Sequence, residues 1–129
     1  MNAYKEAQRI FWYMVTVYEV DEIERWRKGF HLSKMSNIDI LEDMFLRKIE
    51  IKKALEDVIE NLDGRDRRFF DLLMESKESG DSNRYMMRKL GVKKRQFLRI
   101  KKRFFLNFLN GLRKRYKYLY IELKNMTLF

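Results

Sequence analysis

Apolar residues recur along this chain mostly at three- and four-residue spacings, a pattern that predicts helix over most of its length. Residues 2 to about 30 read largely as helix. Within them the run IFWYMVTVY (10–18) is aromatic and β-branched enough to form a buried strand instead. Gly29 and the polar HLSKMSN mark a break, after which Ser36, three residues before Asp39, opens a capping-box pattern. From Ile38 onward, Leu41, Met44, Phe45, Ile51, Leu55, Ile59 and Leu62 keep mostly to one helical face. NLDGRD (61–66) interrupts, and either Asp63 or Asp66 can cap a further helix through RRFFDLLMES, with Phe69, Phe70, Leu73 and Met74 turned inward. KESGDS (77–82) is loop by composition.

Ser82 then starts a short helix, NRYMMRKL, and Gly91 directly follows its last apolar residue, where helix ends favour a left-handed glycine. A long helix begins at Lys93 and reaches at least Leu109, with Asn110-Gly111 as a candidate end or bend. In the tail RKRYKYLYIELKNMTLF, Tyr116, Tyr118 and Tyr120 alternate as in a strand, yet their surroundings suit a helix. Helix is the reading adopted.

Composition sharpens this picture. A chain of 129 residues fits one domain with a sizeable core. Its lack of proline and its five glycines favour long uninterrupted helices. The predicted class is all-α: a small helical domain with a C-terminal helix-turn-helix continued by a long basic helix. Residues 1–61 form an acidic helical region for packing or self-association, and 62–129 hold the basic part. The eight methionines fall at core-like spacings and are read as core filling.

Several functions are set aside. Without cysteine there is no disulfide, thiolate ligand or thiol nucleophile, which suits a reducing cytoplasm. His31, the single histidine, cannot build a metal site or a triad. The acids Asp39, Glu42, Asp43, Glu50, Glu56, Asp57 and Glu60 are interleaved with Arg47, Lys48, Lys52 and Lys53, which reads as a solvated face and not a magnesium site. No glycine-rich phosphate loop is present. We therefore expect no enzyme, no cofactor and no metal. The run 10–18 is about half a membrane span and meets Glu19, Asp21 and Glu22 at once, so neither membrane insertion nor export is expected.

Charge carries the functional signal. Net charge is +10, and residues 82–121 hold 14 lysines and arginines with no acid at all. That leaves 15 basic residues against all 19 acids in the remainder. A strongly cationic segment joined to a mildly acidic body calls for an anionic partner. An ordinary solvated helix face would mix signs, with acids spaced to meet the lysines.

A short helix, a glycine turn and a longer basic helix match the plan of a helix-turn-helix, whose second helix enters the major groove of DNA. Met86, Met87, Leu90 and Val92 would pack the first helix and turn, while Phe97, Ile100, Phe104 and Phe108 give the second helix its inner face. Opposite that face lie Arg95, Arg99 and Lys102, flanked by Lys94 and Leu98 on one side and Gln96 and Arg103 on the other. Lys93 precedes them and Gly91 makes the turn. Arginine can bind guanine bidentately, glutamine adenine, and leucine can touch a thymine methyl, whereas lysines on the flank suit phosphates. Double-stranded DNA is thus the expected partner. RNA fits less well, since no glycine-aromatic single-strand motif is seen. RNA polymerase and a second copy of this chain are the further partners considered. One rival is an interaction protein, a phage inhibitor whose basic face covers the nucleic-acid channel of a host protein. Another is a binder of any duplex.

The stretch DSNRYMMRKLGVKKRQFLRIKKRFFLNFLNGLRKRY (81–116) resembles the C-terminal part of ArpU-type phage transcription regulators. There, too, a loop serine precedes a short helix, LG ends it, and a basic-aromatic run continues into an apolar helix. LDGRDRRFFDLL (62–73) resembles the helix preceding the same turn in the C-terminal region of sigma factors. The resemblance spans about 55 residues. It implies control of late phage genes in the host cytoplasm, with Lys94, Arg95, Gln96 and Arg99 in DNA-reading positions. Met87 departs from the small residue usual at its place, which leaves a wider helix crossing or a different pairing open. The first sixty residues resemble nothing named.

Overall fold

The protein was analysed as a computed structural model that describes residues 2–19 and 38–126, with side chains from residue 46 onward in the second segment. Among the described residues there are six helices and no strand: α1 (Ala3–Glu19), α2 (Ile38–Glu60), α3 (Gly64–Ser76), α4 (Ser82–Leu90), α5 (Lys94–Arg115) and α6 (Lys117–Asn125). The all-α class holds for these residues. The break at Gly29, the Ser36 capping pattern and His31 lie outside them.

In α1 the open choice at 10–18 resolves to helix. Asn2 accepts the Lys5 amide at 2.8 Å, and burial falls on Ala7, Ile10, Phe11, Met14, Val15 and Val17. That stripe covers one side of a helix, whereas a strand would bury alternate residues. Packing against two neighbours outweighs the β-branched preference of Val15 and Val17.

The helix α5 is the spine of the molecule, 22 residues and about 33 Å long. Both α1 and α2 pack along it, and α3 rests against its first half and against α4. Its buried residues are Phe97, Phe104, Phe105, Phe108, Leu109 and Leu112. This apolar arc is wider than the expected one: Phe105 is fully buried and Ile100 only partly so. The extra width is the flank covered by α1, where Phe11 meets Phe104, Phe105 and Phe108 edge-to-face at 5.2–5.5 Å. The two sequence regions on either side of residue 61 thereby share one core.

Gly111 does not end this helix, which runs on to Arg115. A Cβ there would stand 3.2 Å from Val58 Cγ1, so the missing side chain serves the close approach of α2 to α5. Below it, Arg115 holds Asp57 of α2 through two hydrogen bonds of 2.8 and 3.1 Å, and the Tyr116 hydroxyl donates to the same carboxylate at 3.0 Å. These bonds hold the Asp57 carboxyl below its ordinary pKa. A depressed carboxyl contributes stability above its unfolded pKa and loses it as pH falls through the folded value. Asp57→Asn should therefore unfold more easily at neutral pH, and its melting temperature should fall less than that of the parent below about pH 4. Thermal melts across that range check it; parallel curves would refute the assignment.

Candidate nucleic-acid interface

Two side-chain caps set the starts of α3 and α4. Asp63, the first of the two candidate caps, accepts the Asp66 amide at 2.9 Å and starts α3. Asp81 accepts the Arg84 amide at 3.1 Å and starts α4. Between them Ser76, wholly buried, donates to the Leu73 carbonyl at 2.7 Å and shares a hydrogen bond with Ser82. Tyr85 also donates to Glu75 at 3.2 Å, tying α4 to α3.

The end of α4 is built on Gly91, which takes φ 66° and ψ 35°. Its amide donates to the Arg88 carbonyl at 3.3 Å, and the Val92 amide to the Met87 carbonyl at 3.1 Å. This pair of bonds is the Schellman termination, and both Met87 and Val92 pack against the core beside it. Space is not the constraint, since a Cβ at Gly91 would meet nothing within 4 Å. The left-handed backbone is. Gly91→Ala should cost about 1–2 kcal/mol and Gly91→Asn less, as read from chemical denaturation. Equal stability of all three would refute the strain argument.

After this turn, α5 begins at Lys94 with Lys93 as its cap residue and no side chain capping it. Lys93, Lys94, Arg95, Gln96, Leu98, Arg99 and Lys102 are all exposed there. Leu98 is 46% exposed, an apolar residue in a polar face. None of the cations among them forms an ion pair with a described residue. Phe97 and Phe104, both buried, fix the rotation of the helix from the opposite side. The predicted cluster is thus gathered at one end of one helix, with a single exception.

Arg103 stands apart. Its Nε is buried 3.5 Å from Oδ1 of Asp66, a residue only 1% exposed on α3. Asn107 donates to the other carboxylate oxygen of Asp66 at 2.8 Å. Arg103 and Asn107 therefore meet the one buried carboxylate of the described core and lock α5 onto α3. Asp66 was a candidate cap in the sequence, and its buried role depends on a helix forty residues away.

Lys101 also differs from the exposed group. It is half-buried, its Nζ donates to Asn83 of α4 at 3.4 Å, and burial pulls its ammonium pKa down. The wheel of α5 alone left out Arg88 and Lys89 of α4, which are exposed as well. Arg88 has no ion pair with a described residue, and Lys89 lies 5.7 Å over the Tyr85 ring. The acid-free run from 82 was the signal that includes them.

Other chemistry is not visible among the described residues. No group of three histidines and acids is placed to hold a metal, and no helix is long and apolar enough to cross a membrane. No protein-family model matches the chain, and neither a curated protein nor a solved structure does.

Proposed function

We propose that the protein is a sequence-specific binder of double-stranded DNA that regulates transcription, with α4, Gly91 and α5 working as a helix-turn-helix. The observation that carries this reading is the start of α5. There Arg95, Arg99 and Lys102, with Gln96 and Leu98 beside them, stand exposed and unneutralised on a helix whose other side is anchored by buried phenylalanines. Arg95 and Arg99 are one turn apart, a spacing suited to successive base pairs, and Gln96 and Leu98 add donors, acceptors and an apolar contact. Lys93, Lys94 and Lys102 serve as phosphate contacts, aided by the positive end of the helix. Arg103 contributes mainly by holding α5 in place.

The resemblance to ArpU-type regulators supplies the setting, control of phage or prophage late genes in a host cytoplasm. A single reading helix covers few base pairs, so two copies would pair on a two-fold site. Tyr118, 80% exposed on α6, offers apolar surface for that pairing.

Selection of bound duplexes from a random pool, at stated salt, tests the proposal. A regulator enriches one consensus. Retention without enrichment identifies an indifferent duplex binder, and recovery of a host protein in place of DNA identifies the inhibitor reading.

A further inference from the structure

The other end of α5 presents a second cluster of cations that the reading of α4, Gly91 and the start of α5 does not use. Four basic residues stand there in five positions, Arg113, Lys114, Arg115 and Lys117. Arg115 is occupied by Asp57 at 2.8 Å. Arg113, Lys114 and Lys117 are exposed and have no ion pair with a described residue. With Asn110 and the buried Tyr120 they line a notch of about 510 Å³ between α5 and α6.

The notch has a fixed wall. Tyr120 is 8% exposed and its hydroxyl is hydrogen-bonded to Glu6 of α1 at 2.5 Å. The guanidinium of Arg113 lies 5.4 Å over that ring, which holds it in place without neutralising it. Cations in the last turn of α5 suit the helix dipole, but that explanation stops at Arg115. Lys117 opens α6, where a cation is unfavourable, and α6 has neither an acid in its first turn nor a side-chain cap. The negative group that this corner needs is not supplied by the described residues.

We infer that the notch of Asn110, Arg113, Lys114 and Lys117 is a second phosphate-binding site, taking the phosphodiester backbone of the same duplex that the start of α5 reads. This inference rests on the proposed DNA binding. Helical phase favours one partner for both clusters: Arg113 follows Arg95 by eighteen residues, about five turns, and so faces the same way roughly 27 Å along the helix. Lys102, Asn110 and Arg113 continue the same exposed stripe. The second cluster therefore adds affinity and lengthens the footprint while reading no bases.

The test compares the full-length protein with Arg113→Gln/Lys114→Gln/Lys117→Gln, and with Arg115→Gln as a control from the same run, after circular dichroism has shown that all are folded. Binding is measured on the selected duplex and on a random one, in increasing lengths and at several salt concentrations. The parent should gain affinity with length and then level off. The triple variant should level off at shorter duplexes, with a salt dependence shallower by about two to three units and an unchanged ratio of specific to random affinity. Arg115→Gln should keep the parent slope and length dependence. Unaltered slope and length dependence in the triple variant overturn the second site and leave the reading helix standing. Failure of the parent to bind any duplex overturns both. Loss of binding to phosphatidylserine vesicles in the triple variant, with DNA binding intact, assigns the notch to a membrane surface and overturns the inference.

Discussion

Phe11→Ala is expected to destabilise the protein by about 3–5 kcal/mol, a large share of the 5–15 kcal/mol typical of a domain. Phe11 is fully buried and is the meeting point of five aromatic rings. Those rings come from α1 itself, from α3 through Phe70, and from α5 through Phe104, Phe105 and Phe108. Truncation thus removes the transfer energy of a large side chain and opens a cavity bounded by rigid rings that cannot collapse into it. Phe11→Leu keeps most of the volume and should cost far less. Trp12, next in sequence but only partly buried, should also be the milder truncation. Urea unfolding monitored by circular dichroism measures all three, and a loss below 1 kcal/mol for Phe11→Ala would refute the central role given to this ring.

The second large effect concerns DNA and not folding. Arg95→Ala and Arg99→Ala should each cost about 1–3 kcal/mol on the selected duplex, and far less on random sequence. That corresponds to roughly 5- to 150-fold in affinity. Both side chains are exposed, so melting temperatures should hardly move. Arg103→Ala is the informative contrast. It leaves the buried Asp66 with Asn107 as its remaining polar partner, so it should lower stability first and disturb binding through a loosened α5. Lys101→Ala should weaken binding to every sequence alike, since Lys101 sits at the seam with α4 and not on the reading face. If both arginine variants leave the ratio of specific to random affinity unchanged, the helix-turn-helix proposal fails.

Which parts of this structure were legible in the chain follows from how local each determinant is. Gly91 was legible because the determinant is local: apolar spacing stops at Leu90, and a left-handed residue must follow. The exposed cations Lys93, Lys94, Arg95, Arg99 and Lys102 were legible for the same reason, since Phe97 and Phe104 set the phase of the helix. Gly111 was not. Asn-Gly is a local turn signal, and what keeps it helical is the approach of Val58 from α2. Phe105 escaped the expected inner face because periodicity reveals the side turned to one neighbour, whereas α5 packs against α1, α2, α3 and α6. The 10–18 run stayed open between helix and strand until the cap at Asn2 and the partners of Phe11 decided it. By local pattern Asp66 is a helix cap and Arg103 a flank of the exposed face. Their pairing joins positions nearly forty residues apart, and no local pattern announces such a contact.

The packing of α1 on α5 also has a consequence for synthesis. Three of the five rings that meet Phe11, those of Phe104, Phe105 and Phe108, are made more than ninety residues after it. At translation rates of about 5–20 residues per second, this interval lasts roughly 5–20 seconds, during which the side of α1 that packs on α5 has no partner there. Until α5 emerges, α1 has α2 and Phe70 of α3 to meet, and the side of Phe11 turned to α5 stays uncovered. A ribosome-bound chaperone should hold this segment, and nascent chains halted before residue 104 should crosslink to such a chaperone through residues 10–18, while chains extended far enough to free α5 should release it.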